Sequence, residues 1–239
     1  MNVIVCKNKE EMAKKGAAII ASLLVSKPNC VLGLATGSTP VGMYKELIEK
    51  NQKGEISFRD VTTVNLDEYY PIAPTNDQSY RYFMNDNLFN HVDVDMARTH
   101  VLNGLAEDPE KECADYDKMI EELGGIDLQV LGIGRNGHIA FNEPDATLVS
   151  GTHKTGLTPS TIEANSRFFA SSDDVPRFAL TMGIGSIMKA SSIIILASGP
   201  DKKEAVCRML SGVIDPMCPA TILSCHKNVT VLCTEDTIA

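Results

Sequence analysis

Six short, largely apolar runs recur along the chain: residues 2–6 (NVIVC), 30–35 (CVLGLA), 61–66 (VTTVNL), 127–133 (DLQVLGI), 192–197 (SIIILA) and 229–233 (VTVLC). Strands buried on both faces read this way, and such strands belong to parallel sheets. Between the runs lie stretches with helical spacing. Residues 9–26 place Met12, Ile19, Ile20, Leu23 and Leu24 on one side. Asn8 and Glu11 resemble a capping box at the start, and Pro28-Asn29 stops the segment. Residues 41–51 carry Tyr44, Leu47 and Ile48 as a stripe, and helices are expected near 78–89, 109–123 and 201–211. Strands alternating with helices imply an α/β protein: a mainly parallel central sheet covered by helices on both faces, in a Rossmann-like topology. The stretch between the helices near 78–89 and 109–123, and most of residues 145–191, carry little pattern. With 239 residues, 44% of them hydrophobic, and no repeat or linker-like tract, residues 1–239 are expected to form a single domain.

Charge and cysteine usage narrow the function. A formal charge of −9 and the absence of a basic run interleaved with aromatics argue against a nucleic-acid partner. The seven cysteines form no C-x-x-C pair, and several sit in apolar runs, as buried thiols of a reducing compartment do. The N-terminus lacks a signal-peptide pattern, and the longest apolar stretch, residues 17–25, is far too short for a bilayer. A cytoplasmic protein without a membrane partner is expected. His91, His100, His153 and His226 have no carboxylate or cysteine at ligand spacing, so no metal is expected.

Chemistry concentrates where the apolar runs end, which is where open parallel sheets bind ligands. Residues 128–144 read LQVLGIGRNGHIAFNEP. Gly132, Gly134 and Gly137 match the spacing of a dinucleotide fingerprint, but that fingerprint needs a helix beginning at the third glycine. Pro144 forbids one here, and no strand ending in an acid follows about 20 residues later. What remains is a loop presenting Asn136, His138, Asn142 and Glu143, with an imidazole and a carboxylate as candidate acid–base groups. The turn 35–40 (ATGSTP) offers Gly37 and the hydroxyls of Thr36, Ser38 and Thr39 before a helix, an anion site in the making. In the alternative, Ser38 and Thr39 merely cap that helix, with Thr39 as N-cap and Pro40 at its first position. Asp67 and Glu68 end the run 61–66. On an extended backbone they point opposite ways, so at most one faces a pocket. Lys202 falls in the first turn of a helix, where the macrodipole disfavours a cation by roughly 0.3–1 kcal/mol. A bound anion would reverse that sign; otherwise Lys202 and Lys203 lie on a solvated face. Arg167 is a phosphate fork or a snorkelling surface arginine.

Taken in order, LATGSTP (34–40), NLDEYY (65–70), GRNGHIAFNEP (134–144), ANSRFF (164–169) and SGPDK (198–202) resemble the glucosamine-6-phosphate deaminase family over nearly the whole chain. The resemblance implies a cofactor-free conversion of glucosamine 6-phosphate and water to fructose 6-phosphate and ammonia, in amino-sugar catabolism. By that resemblance Asp67 moves a proton between C2 and C1, and His138 opens the sugar ring with Glu143 beside it. Gly37, Ser38, Thr39, Arg167 and Lys202 hold the phosphate. Some members carry aspartate where Asn136 stands. An amide can orient the imidazole but cannot pair with its cation, which leaves Glu143 as its main tuner. Longer, allosterically activated members have basic residues after the EP motif. Here residues 145–156 hold Lys154 as their firm cation, and an unregulated monomer or low-order homo-oligomer is expected. Two other readings stay open: a 6-phosphogluconolactonase-like hydrolase, and a non-catalytic sugar-phosphate-sensing domain.

Overall fold

The computed structural model describes residues 1–166, 169, 171 and 175–238. The apolar runs become the strands of a seven-stranded sheet. These are β1 (Asn2–Cys6), β2 (Val31–Leu34), β3 (Thr62–Asn65), β5 (Thr99–His100), β6 (Leu128–Gly132), β9 (Ser192–Ala197) and β10 (Val229–Thr234). Their order is β1-β10-β9-β6-β2-β3-β5, with every neighbouring pair parallel. Helices α1 (Lys9–Ser26), α2 (Val41–Gln52), α3 (Tyr80–Asn87), α4 (Pro109–Glu122) and α7 (Lys203–Leu210) flank it. From β2 the chain builds outward through β3 to β5, then returns to lay β6 on the other side of β2. The switch point therefore lies between β2 and β6, and the loops leaving them open side by side at the carboxyl edge.

Several expectations hold at the level of single bonds. Asn8 caps α1, its Oδ1 accepting from Glu11 N at 2.9 Å. Glu11 reaches back to Lys7 N at 2.8 Å, one residue earlier than a standard capping box. The expected start of α2 needs correcting. Pro40 is the cap residue, at φ −80° and ψ −9°, and no side chain caps the helix. Proline's own ring already holds the helical φ, so Thr39 is not used as a cap.

The run 61–66 does not end its strand at Asp67. Strand β3 stops at Asn65, the last residue paired with β2. The chain then bends at Leu66 into β4 (Asp67–Tyr70) of a second sheet. This sheet is antiparallel, with order β4-β8-β7, where β7 is His153–Gly156 and β8 is Phe178–Thr181. Residues 145–191 thus hold two strands together with the helices α5 (Pro159–Ser166) and α6 (Ile184–Met188). Neither HKTG nor FALT carries an alternating pattern long enough to read. The helix expected from Asp201 begins with a 3-10 turn, Pro200–Lys202, because Gly199 at φ 100° sends the chain round sharply; α7 starts at Lys203.

Candidate active site

At the end of β2 the turn 35–40 is fastened from below, Tyr44 Oη donating to Ala35 O at 2.5 Å. Gly37 has φ 87°, and a Cβ there would meet nothing within 4 Å, so the tip faces open space. The hydroxyls of Thr36, Ser38 and Thr39 make no side-chain hydrogen bond to the described residues. Since none of them caps α2, three donors and the glycine amide remain for an anion. The turn after β9 reaches the same edge. There Lys202, its side chain 21% exposed, lies 3.9 Å from Asp201 Oδ2. Arg135, from the loop after β6, donates to that same oxygen at 2.8 Å. Burial alone would raise the Asp201 carboxyl, but Arg135 and Lys202 outweigh it and hold it below the usual range. Arg167 lies outside the described residues.

The loop after β6 is a knot of short bonds. Gly134 N donates to His138 O at 2.9 Å and Gly137 N to Gly134 O at 3.0 Å. The imidazole lies over Gly134 so closely that a Cβ there would fall 2.4 Å from Cδ2 and Nε2. Only glycine leaves that room. Ala140 takes φ 52°, an uncommon left-handed conformation for a residue with a Cβ. It is held there by Asn142, whose Nδ2 donates to Ile139 O and to Met182 O, both at 2.9 Å.

Asn136, His138 and Glu143 form one hydrogen-bonded set. His138 Nδ1 lies 3.0 Å from Glu143 Oε1. Asn136 Nδ2 donates to Glu143 Oε2 at 2.7 Å, and His138 N donates to Asn136 Oδ1 at 3.2 Å. The amide thus holds the carboxylate and the backbone rather than the ring, a correction to the expected orienting contact. Burial would raise the Glu143 carboxyl, yet the bonds from His138, Thr161 and Asn136 hold it below its ordinary value. An ionised carboxylate follows, so Nδ1 carries the proton and Nε2 is left as the basic nitrogen of the ring.

Asp67 and Glu68 part ways as an extended strand requires. Glu68 is buried, and its carboxylate accepts from the backbone N–H groups of Tyr69 (2.9 Å), Tyr80 (2.8 Å) and Arg81 (3.0 Å), covering the start of α3. Burial pushes it up to about 7 against those three donors. Its role is structural. Asp67 is 7% exposed and accepts no comparable set; burial, with the Glu68 charge beside it, pushes its carboxyl up to about 8. Asp67 sits opposite Thr181 in the β4–β8 register, and Thr181 Oγ1 accepts from Phe141 N at 3.1 Å. One threonine therefore joins the strand of Asp67 to the loop of His138. The rings of Tyr69, Tyr80 and Phe141 pack around that joint, with centroids 4.8–6.1 Å apart.

Thr161 and Thr181 lie in no motif, and Arg135 and Asp201 fall inside GRNGHIAFNEP and SGPDK with no role assigned to them there. Single hydroxyls and an exposed ion pair make no motif of their own, and only their partners in space reveal them. Among the described residues, no three His, Cys, Asp or Glu side chains converge as metal ligands would.

Fold and site together define an α/β protein with an open turn of hydroxyl donors and a half-buried, hydrogen-bonded His138–Glu143–Asn136 set at the switch point of a parallel sheet. The family described as glucosamine-6-phosphate isomerases/6-phosphogluconolactonase matches residues 7–232, and the chain belongs to it. It is 56% identical over 236 residues to the glucosamine-6-phosphate deaminase of Clostridium perfringens, covering 99% of this chain and 98% of that one. The corresponding protein of Clostridioides difficile is 54% identical over 235 residues, covering 98% and 94%. Among solved structures, a monomeric glucosamine-6-phosphate deaminase superposes with a TM-score of 0.97 at 45% identity, covering 99% and 98%. A 6-phosphogluconolactonase from Thermotoga maritima superposes at 0.74 with 19% identity and 97% coverage of each chain, a likeness of fold.

Proposed function

We propose that the protein converts glucosamine 6-phosphate and water to fructose 6-phosphate and ammonia. The observation that carries this reading is identity above half, end to end, with deaminases. The solved lactonase, by contrast, is only 19% identical and supports no more than the fold.

In this reading His138 takes the proton of the sugar's C1 hydroxyl through Nε2 and returns one to the ring oxygen, opening the pyranose. Glu143 keeps Nδ1 protonated and steadies the transient cation. Asp67, ionised, removes the C2 proton of the open chain to give an enolamine, and the proton is returned at C1. Water then adds to the resulting ketimine carbon, and ammonia leaves as the C–N bond breaks. A C2 hydrogen of this kind is weakly acidic. A carboxylate whose burial has raised its basicity to about 8 suits the task better than a solvated one. Gly37, Ser38, Thr39, Lys202 and Arg167 hold the phosphate, leaving the reacting carbons over Asp67.

The substrate's positive amino group lies near Asp67 and pulls its proton affinity back down, favouring the base form once substrate is bound. No cofactor enters any step. The chain works as one domain, a reading supported by Leu180 and Met182 of the second-sheet region sharing the buried cluster of the parallel sheet. A monomeric state is supported by the 0.97 superposition on a monomeric deaminase. Lys154 rests over the rings of Tyr70 and Phe178, at 4.7 and 4.8 Å, which supports a segment engaged in packing rather than effector binding. Cytoplasmic residence accords with seven unpaired cysteines, five of them buried. No helix among the described residues is long and apolar enough to cross a membrane.

Incubation with glucosamine 6-phosphate, with fructose 6-phosphate and ammonia assayed together, tests the reading. Equimolar release of both is expected. Hydrolysis of a phosphogluconolactone without ammonia from the amino sugar would replace it with the lactonase reading.

A further inference from the structure

We propose that Thr161 is a positioning residue for the acid–base pair, its hydroxyl holding the Glu143 carboxylate in line with the His138 ring. The proposal rests on the deaminase reading above and deepens it. Glu143 has two oxygens to orient and three donors to do it. Oε2 takes the Asn136 amide at 2.7 Å, and Oε1 takes His138 Nδ1 at 3.0 Å and Thr161 Oγ1 at 2.6 Å. Asn136 and His138 belong to the same loop as Glu143 and move with it. Thr161 comes from α5, so it is the donor among these three that refers the carboxylate to the rest of the fold.

Two further observations show a directed bond. Thr158 Oγ1 donates to Thr161 Oγ1 at 3.0 Å, which leaves the Thr161 proton pointed at Glu143. Thr161 is also buried, where an O–H to carboxylate contact of this length is strong and screened little by water. One residue on, Ile162 packs against the cluster of Tyr69 and Phe141. The helix that steadies Glu143 is therefore seated on the strand that carries Asp67. A carboxylate's terminal torsion is broad, so loss of one of three donors lets it rotate away from the imidazole. The titratable group facing Glu143 is His138; Thr161 and Asn136 are neutral, and the Thr161 bond helps keep the carboxyl low.

The test is Thr161→Val, which keeps the shape and removes the hydroxyl, beside Thr161→Ser, which restores it. Steady-state ammonia release is followed across pH, and the His138 ring is followed by 15N NMR. For Thr161→Val we expect kcat to fall roughly 10-fold, KM to stay within about 2-fold, and the acidic limb of the profile to move. Thr161→Ser should recover most of the rate. Wild-type kcat with an unmoved limb in Thr161→Val overturns the proposal, as do equal losses in the serine and valine variants. Should valine not fold, Thr161→Ala is read by NMR, where an unchanged pH response of the His138 ring overturns it. A wild-type protein that releases no ammonia refutes the deaminase reading instead, and the NMR arm still decides the role of Thr161.

Discussion

The seven-stranded sheet carries apolar residues on both faces of its inner strands, whereas the three-stranded sheet is built from Asp67-Glu68-Tyr69-Tyr70, HKTG and FALT. Each sheet supports a different part of the site. The large sheet ends in the turns that offer backbone and hydroxyl donors to an anion, a task that needs only rigid strand ends at one edge. The small sheet carries two carboxylates raised by burial, Asp67 and Glu68, and it braces the His138 loop through Thr181. On the proposed reading, phosphate binding rests on the part that folds most simply, and C2 proton transfer on the part where side chains are buried against their own preference.

The sharpest way to break that division is Asp67→Asn. We expect kcat to fall by about 10³-fold or more while phosphate affinity, measured by calorimetry with inorganic phosphate, stays unchanged. The same variant tests the electrostatic side. The folded carboxyl titrates near 8 and a free one near 3.8, so the folded state keeps a proton that the unfolded chain has released. Stability therefore falls as pH rises through that window. Asparagine escapes the loss, and its Tm at pH 8.5 should exceed that of the wild type by about 3 °C or more. A Tm difference that does not grow with pH would rule out a costly buried charge.

Next in size is Gly134→Ala, whose methyl would fall within 2.4 Å of the His138 ring. A displaced ring should lower kcat about 100-fold with little change in phosphate affinity. On the large-sheet side, Ser38→Ala combined with Thr39→Val should raise KM roughly 10-fold and leave kcat within about 2-fold. A kcat loss there would mean that anion and proton transfer are not separable. The smallest effect belongs to Asn136→Asp. It exchanges a donor on Glu143 Oε2 for a second carboxylate and should raise the acidic limb of the pH–rate profile by about one unit. An unmoved limb would deny Asn136 its hold on Glu143.

Much of the fold and of the site is legible in the residues themselves. Residues 30–35 and 192–197 announce their strands because strands buried on both faces need apolar side chains at every position. The GHIAFNEP stretch announces a loop because its glycine and its proline exclude a helix. Residues 145–191 are opaque for the opposite reason. Strand β7 has four residues and is half exposed, and β8 finds its partner Asp67 more than a hundred positions away. Pairings of that kind leave no local pattern. Thr39 misleads because a Ser-Thr-Pro sequence satisfies the rules for a cap, yet the proline turns the chain without needing one.

The sequence by itself determined the parallel sheet, the position of its carboxyl-edge loops and the set of groups that bear charge or donate to an anion. These follow from local periodicity and from which residue types turn a backbone. The family resemblance points to Asp67, but only the tertiary structure decided how differently the two adjacent acids are surrounded. Glu68 meets three amides at the start of α3, while Asp67 faces Thr181 in a second sheet. Proton affinity depends on what surrounds a carboxyl within a few ångströms, and those neighbours come from distant parts of the chain.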